Sequence, residues 1–434
     1  MISKKLLMLL AILFGMSITV QAQIVTEQED EVDEEDELIV VDQSGNEEVI
    51  DFPEAMTYDL DSLLNEYMAK TYLSAEDCNM RNENPYYPEE VYIDRLSRMP
   101  TVMEMAHNKV VQQFIDRYAS RLRGTISYVL GASNFYMPIF EEALEAYQIP
   151  LELKYLPVIE SALNPRAVSR VGATGLWQFM LATGKQYNLQ INSLVDERRD
   201  PIKASYAAAH LLSDLYKVFG DWNLVIAAYN CGPGNVSKAI QRSGGSKDYW
   251  HIYPYLPRET RGYVPAFIAA NYMMTYYSQH NICPMSSRLP AKTDTVMVDR
   301  KIHLEQIAKV LDIDIEMLRT LNPMYRHDII PGNTEPYALR LPLADITRFI
   351  EQEDAICNYR ASELLTNRIQ VEVNDYTPTY YHKSKRSYKK GRKGRASRNT
   401  KARRGGKKSG ARSKARGRSK GKSSGRKSSK RRRR

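Results

Sequence analysis

The chain is poor in cysteine, and its cysteines stand in no metal-binding arrangement. The 434 residues include only Cys78, Cys231, Cys283 and Cys357, whose spacings match no zinc or iron–sulfur motif. A cysteine-rich metal centre is therefore excluded, and we predict neither a metal site nor a cofactor. Four cysteines permit one or two disulfides in an oxidising compartment, with three complete pairings possible.

Long hydrophobic runs are also scarce, and the one at the N-terminus is short for a membrane span. It extends from Leu6 to Val20, after Lys4 and Lys5 and before the small-residue site Val20-Gln-Ala22. This order is typical of a secretory signal peptide. We therefore predict that residues 1–22 are removed and that the protein is exported to the periplasm or cell envelope. No cysteine lies near the cleavage site, so no lipid anchor is expected.

After the predicted signal peptide, the N-terminal end of the chain has almost no positive charge and the C-terminal end has no negative charge. Residues 23–77 contain 19 Asp and Glu against one lysine, whereas residues 383–434 contain 27 Lys and Arg and no acidic residue. Such compositions cannot bury enough apolar surface to form a core. We predict an acidic, mostly disordered arm over residues 23–85, with a short helix around 59–70. Residues 346–434 are predicted to be a linker followed by a basic, low-complexity tail.

The basic tail suggests an anionic partner. In a cytosolic protein, so many cations would indicate nucleic acid, but the predicted export makes nucleic acid an unexpected partner. Carboxylates of wall peptides, lipid headgroups and lipopolysaccharide phosphates are anions outside the cytoplasm. Two interpretations stay open: tethering to an anionic wall or membrane surface, and a solvated tail with no specific partner.

Between these arms, residues 86–285 show helical periodicity and no alternating strand pattern. The apolar spacing and the Pro, Asp and Gly punctuation predict helices over 108–126, 137–147, 150–164, 177–187, 200–219, 221–229, 235–242 and 259–277. Residues 290–345 differ: they predict a β-α-α-β unit with strands over 295–298 and 337–342, helices over 304–311 and 315–321, and a turn over 329–332. The fold class is mainly α, with a small mixed module.

One carboxylate stands out in the helical block. Glu160 follows Leu156-Pro-Val-Ile159 and precedes Ser161-Ala-Leu163. An unpaired carboxyl buried among such neighbours would have its pKa raised, as a general acid needs near neutral pH. Taken alone, a glutamate that reaches solvent or a partner is the more common explanation.

Four segments change that interpretation by their order along the chain. They are Glu160-Ser161, Gly175-Leu-Trp-Gln178, Ala228-Tyr-Asn-Cys-Gly232 and Tyr263 within Glu259-Thr-Arg-Gly-Tyr-Val-Pro265. Together they resemble the catalytic domain of the family 1 lytic transglycosylases, which have a goose-type lysozyme-like, all-α fold. The run Leu256–Pro265 is similar to the membrane-bound lytic murein transglycosylase D branch. Cys231 and Trp177 depart from the commonest form of these motifs.

The resemblance implies cleavage of the β-1,4 bond between N-acetylmuramic acid and N-acetylglucosamine in peptidoglycan glycan strands. Glu160 would be the general acid and base, forming a 1,6-anhydro end. Ser161, Gln178, Tyr229, Asn230 and Tyr263 would bind substrate, although Ser161 could instead orient Glu160. No second acid matches a family motif, which fits assistance by the substrate's N-acetyl group.

Three acidic residues between the second and third of these segments are not excluded as a second catalytic acid, but they have a simpler interpretation. Asp196, Glu197 and Asp200 are best explained by helix capping and solvated charge.

The unit over 290–345 resembles a divergent LysM module, a glycan-binding fold. Leu318-Arg-Thr-Leu-Asn322, Ile330-Pro-Gly332 and Leu339-Arg-Leu-Pro342 match its latter half. Whether it binds glycan stays open. Two alternatives to a transglycosylase remain: a muramidase of the same fold that uses water, and a peptidoglycan-binding scaffold without activity.

Overall fold

The computed structural model describes residues 37–41, 47–57, 73–74, 83–287, 289–365 and 368–373, all within a compact unit that ends at Tyr376. The predicted signal peptide, the predicted helix around 59–70 and the basic tail lie outside these residues. The described part of the chain contains no helix long and apolar enough to cross a membrane. Mainly α architecture, as predicted, is confirmed.

Among the described residues, ten α-helices precede the module. They are α1 Glu89–Ser97, α2 Lys109–Ala119, α3 Arg123–Ala146, α4 Leu156–Ser161, α5 Leu181–Gln186, α6 Pro201–Phe219, α7 Trp222–Cys231, α8 Pro233–Arg242, α9 Tyr249–Ile252 and α10 Arg258–Tyr276. A single hydrophobic core joins them. The central helix α10 is buried along most of its length, with Val264, Phe267 and Ile268 fully inaccessible to solvent.

Local capping explains why several predicted boundaries are correct. The Asp200 side chain accepts hydrogen bonds from the backbone N–H groups of Ile202 and Lys203, and Pro201 occupies the first position of α6. Gly220 ends that helix with φ of 69°, a conformation that glycine adopts without a side-chain clash. The Asp221 side chain then accepts from Leu224 N–H and starts α7. These signals act within a few residues, so the sequence contains them in full.

Four predicted helices are wrong in extent. The one over 150–164 is α-helical only over Leu156–Ser161, after a 3₁₀ helix over Leu151–Tyr155. The helix over 108–126 breaks at Ser120, because the chain leaves helical geometry there, and it resumes as α3. The predicted helix over 137–147 is the second half of α3, which accommodates Pro138 in its interior. The predicted helix over 177–187 begins only at Leu181. The preceding residues form a tight turn whose cause lies in the site described below.

The acidic arm is more ordered than predicted over residues 37–41 and 47–57. Strands β1 Glu37–Val41 and β2 Glu47–Asp51 form an antiparallel pair, with Glu37 opposite Asp51. Phe52 stacks on Phe114 with ring centroids 4.7 Å apart, and Met56 is completely buried. These few apolar residues in an acidic segment anchor it to the helical core.

The small module contains two antiparallel pairs and three helices. The strands are β5 Thr293–Val298 with β8 Tyr337–Pro342, and β6 Lys301–His303 with β7 Ile329–Pro331. The helices are α11 Leu304–Leu311, α12 Ile315–Leu321 and α13 Ile346–Asn358. Strand β7 replaces the predicted turn. Two shorter elements complete the described secondary structure: a β3–β4 pair, Leu73–Ser74 with Ser286–Ser287, and helix α14, Ala361–Leu364.

Helix α13 lies beyond the predicted end of the module at residue 345. Its Phe349 and Ile356 are almost fully buried in the module's core. The same core includes Leu194 and Val195, which belong to the helical domain. The module is therefore larger than its sequence pattern indicates, because α13 closes a core that the strands leave open, and it packs directly on the helical domain.

The described cysteines include both a disulfide-bonded residue and free thiols. Cys283 is disulfide-bonded, whereas Cys231 and Cys357 are free thiols. Within the described ranges, no group of three or more His, Cys, Asp or Glu residues could hold a metal ion.

Candidate active site

Glu160 lies near the end of the six-residue helix α4. Pro157 at the second helical position favours the start of this short helix. Immediately after it, Ala162 and Leu163 both adopt left-handed backbone conformations, with φ of 48° and 60°. Two consecutive non-glycine residues in this region are uncommon, and such strain concentrates at functional sites. These two left-handed residues turn the chain sharply just beyond the Glu160 carboxylate.

The environment of Glu160 favours its neutral form. Residues before and after it are almost fully buried, including Val158 and Ile159. Burial raises the pKa of the Glu160 carboxyl to about 8, and the negative charge of Glu259 contributes in the same direction. The hydroxyl of Tyr263, on α10, donates a hydrogen bond to Glu160 Oε1 and opposes this shift. The carboxyl is therefore substantially protonated at neutral pH, with Oε1 held by Tyr263.

The turn Gly175–Phe179 packs against α4. It explains why the predicted helix over 177–187 begins only at Leu181. Gly175 has φ of 86°, and a Cβ atom there would lie 1.9 Å from the Arg198 carbonyl oxygen. Only glycine fits this approach. Thr174 and Phe179 then exchange backbone hydrogen bonds of 3.1 Å, and Gln178 between them has φ of 47°.

Ser161 joins the helix of Glu160 to this turn. It is 1% exposed, and its hydroxyl contacts the carbonyl oxygens of Pro157 at 3.0 Å and Leu176 at 2.9 Å. Because both contacts are to backbone acceptors, Ser161 orients the helix and the turn relative to each other. Ser161 is not among the residues that line the Glu160 cavity, and its contact with substrate stays a prediction.

Helix α7 contributes two further predicted residues. The Tyr229 hydroxyl donates to the Trp177 carbonyl oxygen at 2.7 Å, and burial together with the Glu160 charge raises its pKa well above the ordinary value. Asn230 Oδ1 accepts a hydrogen bond of 2.8 Å from the Thr260 hydroxyl on α10. Both side chains are thus held in fixed positions between α7, α10 and the turn.

A cavity of about 200 Å³ brings most of the predicted residues together. Its lining includes Glu160, Gln178, Tyr229, Asn230 and Tyr263. The Gln178 amide is held by a 2.8 Å hydrogen bond from Nε2 to the Gly175 carbonyl oxygen. Five of the six predicted site residues therefore share one cavity although they are up to 103 positions apart.

The cavity also includes a wall that sequence reasoning missed. Pro53, Glu54 and Ala55 line it, on a segment that packs between α10 and the loop before the turn. At one end, the backbone of Asp51 approaches Gly262 on α10 so closely that a Cβ atom on Gly262 would lie 2.6 Å from the Asp51 carbonyl oxygen. At the other, Glu54 Oε1 accepts a 3.2 Å hydrogen bond from Arg170 N–H. The apolar residues at positions 50, 52 and 56 were the available signal within the acidic arm.

Glu259 is the second acidic residue at the cavity that was not predicted. It lines the same cavity as Glu54, and burial together with Asp51 and Glu54 raises its pKa, against the opposing effect of Arg170.

The three acidic residues considered as a second catalytic carboxylate lie elsewhere. Asp200 is the predicted N-cap of α6, and Asp196 caps the short 3₁₀ turn over 197–199. Their charges are not solvated, however, since Asp196, Glu197 and Asp200 are all at least 93% buried. Asp196 pairs with Arg198 and Arg326, and Glu197 pairs with Lys203. None of the three lines the Glu160 cavity.

Two family models match separate parts of the chain. Residues 137–252 match the model of the transglycosylase SLT domain, and residues 292–358 match that of the LysM-like domain of lytic transglycosylase MltD. The second match includes α13. The resemblance to family 1 lytic transglycosylases of the D type, with a LysM-like module, is therefore confirmed.

Individual relatives match parts of the chain. The membrane-bound lytic murein transglycosylase D of Escherichia coli K12 is 36% identical over 201 residues, covering 44% of this chain and 43% of that protein. The soluble lytic murein transglycosylase of the same strain is 34% identical over 124 residues, covering 27% and 19%. The crystal structure of the 70 kDa soluble lytic transglycosylase SLT70 from E. coli is 29% identical, covers 34% of this chain and 25% of its own, and has a TM-score of 0.30. The chain thus spans less than half the length of these relatives.

Proposed function

We propose that this chain, which carries an SLT domain followed by an MltD-type LysM-like domain, is a peptidoglycan lytic transglycosylase. It cleaves the β-1,4 bond between N-acetylmuramic acid and N-acetylglucosamine, and Glu160 is its general acid and base. The observation that carries this proposal is the half-buried Glu160 carboxyl, with its pKa raised to about 8 and one oxygen bonded to Tyr263, in a cavity with Gln178, Tyr229 and Asn230.

In the first step, protonated Glu160 donates its proton to the glycosidic oxygen as the bond to C1 of the muramyl residue breaks. Because Tyr263 occupies Oε1, the proton is delivered from Oε2. The N-acetyl carbonyl oxygen of the same muramyl residue stabilises the positive charge at C1. This assistance removes the need for a nucleophilic carboxylate.

In the second step, the Glu160 carboxylate accepts the proton of the muramyl 6-hydroxyl while that oxygen attacks C1. The product is a 1,6-anhydro end, and Glu160 regains its proton, so no water is consumed. Desolvation of the cavity favours both steps, since it keeps the carboxyl basic enough to be reprotonated.

The surrounding residues have separable roles. Gln178 and Asn230 present amide groups suited to acetamido and hydroxyl groups of the sugars. Tyr229 and Tyr263 combine a ring for sugar packing with a hydroxyl group. Ser161 is a positioning residue that acts through α4.

Product analysis tests the proposal. We expect wild-type protein to release muropeptides with 1,6-anhydro ends from sacculi, detected by mass spectrometry. Glu160→Gln preserves the shape of the side chain but has no transferable proton, so release should fall by at least about a hundredfold. Glu145→Gln, an exposed substitution on α3, is the matched control and should retain activity. Reducing ends would establish a muramidase instead, and intact sacculi a binding scaffold.

Export and the role of the basic tail are separate parts of the proposal. We propose that the protein works in the cell envelope and that residues 383–434 hold it to anionic groups there. Such tethering weakens with salt. A chain that ends at His382 should pellet less with sacculi than the full-length chain at low salt, and equal pelleting would contradict tethering.

A further inference from the structure

A cationic pocket lies between the helical domain and the LysM-like module. It has a volume of about 450 Å³, within the range of roughly 300–1,000 Å³ of small-molecule sites. The helical domain contributes Arg166 and Arg199, and the module contributes Arg319, Arg326 and His327, with Asp328 at the wall. This pocket is distinct from the Glu160 cavity, since the two have no lining residue in common.

The pocket contains more cations than carboxylates. Arg326 Nη2 bonds Asp196 Oδ2 at 2.7 Å, but the same Asp196 carboxylate also pairs with Arg198. Arg319 pairs with both Asp328 and Glu316. Four of the residues that line the pocket are arginines, Arg166, Arg199, Arg319 and Arg326, whereas Asp328 is its one lining carboxylate.

The two arginines of the helical domain that line the pocket form no salt bridge with any carboxylate among the described residues. Arg166 Nη2 donates to the Arg319 carbonyl oxygen at 3.1 Å, a neutral acceptor. Arg199 Nε is buried and has no hydrogen-bond acceptor among the described residues, and Arg326 Nε is in the same state. Buried N–H groups of a guanidinium are costly to leave unpaired.

The electrostatic environment of Arg199 supports this description. Burial lowers the pKa of its guanidinium, and the nearby charges of Arg326, Arg166 and Arg198 lower it further, against the opposing effect of Asp196. An additional negative charge in the pocket would relieve this repulsion. The neighbouring backbone is also unusual, because His327 and Asp328 adopt left-handed conformations with φ of 57° and 58°.

We propose that this pocket binds an oxyanion, a carboxylate or a phosphate group, between Arg166, Arg199 and Arg326. The planar N–H fork of arginine matches either group bidentately. The wall supplies carboxylates on peptide stems, and envelope phosphates are the other source of the same chemistry. Because both domains contribute arginines, the bound anion also links the module to the helical domain.

Position-resolved hydrogen–deuterium exchange of the full-length chain tests the site without interference from the basic tail. The probes are inorganic phosphate, a muropeptide with a carboxylate-bearing stem, and a stem-free disaccharide of two N-acetylglucosamine residues, which has no carboxylate. With ligand at ten times its dissociation constant, we expect exchange to slow by about tenfold in peptides spanning 194–199 and 323–328. Protection by phosphate or by the muropeptide identifies the anion source, and protection by both identifies a general oxyanion site.

Variants distinguish the pocket from non-specific attraction. Arg199→Gln should abolish the protection, and Arg166→Gln, which loses only a bond to a carbonyl oxygen, should weaken it without loss of folding. Arg98→Gln removes an exposed arginine that is 74% accessible and distant in sequence, and it should leave the protection unchanged. Equal protection in all variants, protection by the stem-free disaccharide alone, or no protection in wild-type protein would each overturn the proposal. Since the readout is not activity, it is independent of whether Glu160 is catalytic.

Discussion

Glu160 is half-buried and Asp196 is fully buried in the same helical domain, and their environments move the pKa values of the two carboxyls in opposite directions. Burial dominates at Glu160, whose Tyr263 partner is neutral, and raises the pKa. Asp196 is more deeply buried, with a fully inaccessible side chain, yet Arg198 and Arg326 hold its pKa below the ordinary value. Burial alone therefore does not decide ionisation. A paired carboxylate stabilises a domain junction, whereas an unpaired one is available for proton transfer.

The largest expected effect comes from neutralising Asp196. Asp196→Asn leaves Arg198 and Arg326 buried without their shared carboxylate, and we expect the free energy of unfolding to fall by about 3–5 kcal/mol. Urea denaturation at pH 7 measures the change. Asp94→Asn, which removes an exposed pair with Arg98, should cost less than about 1 kcal/mol.

The sign of the pH dependence follows from the lowered pKa of Asp196. Its stabilising contribution is present above the unfolded pKa of about 4 and is lost as the pH falls through the folded value. The difference between wild type and Asp196→Asn should therefore shrink below pH 4. A loss no larger than that of Asp94→Asn would show that the two carboxylates are energetically alike.

The same chemical change at Glu160 should have the opposite effect on stability. Folding raises the pKa of Glu160, so its contribution is most favourable at low pH and is lost as the pH rises from the unfolded value towards about 8. Because glutamine does not ionise, Glu160→Gln does not lose stability in this way as the pH rises. We expect it to be more stable than wild type by about 1–2 kcal/mol at pH 8, with little difference at pH 4. Thermal unfolding across this pH range tests the prediction, and a destabilised variant at pH 8 would contradict it.

The smallest expected effect concerns Glu259, whose charge contributes to the raised pKa of Glu160. Glu259→Gln should lower that pKa, and the alkaline limb of kcat/KM should move to lower pH by a few tenths of a unit. Glu54→Gln is the matched control, because Glu54 raises the pKa of Glu259 but does not contribute to the shift at Glu160. If the alkaline limb of kcat/KM is unchanged in Glu259→Gln, the charge of Glu259 does not contribute to the raised pKa of Glu160.

Elements with local signals were predicted well. Helices α11 and α12 have the predicted bounds. His303 and Gln306 form a reciprocal capping box at the start of α11, and Asp314 caps α12. Each of these signals acts within one helical turn, so no distant part of the chain is needed to specify it.

Elements that depend on distant contacts were not predicted. The turn at Gln178 replaces a helix because Gly175 must approach the backbone of Arg198, 23 positions along the chain. The wall formed by residues 53–55 lies in an acidic segment whose composition predicts disorder, and only its contact with Phe114 and Gly262 orders it. Helix α13 was predicted to be part of a linker, because its own sequence pattern does not indicate that it covers the core of the module.

The order of the motifs by itself determined which residues belong to the candidate site, and Glu160, Gln178, Tyr229, Asn230 and Tyr263 indeed share one cavity. Only the tertiary structure decided the charge state and partner of each buried group. A pKa depends on burial and on charges that approach through space, and residues far apart in sequence supply both. Glu160 receives Tyr263 from 103 positions away, and Asp196 receives Arg326 from 130 positions away. The first arrangement suits proton transfer, and the second joins two domains.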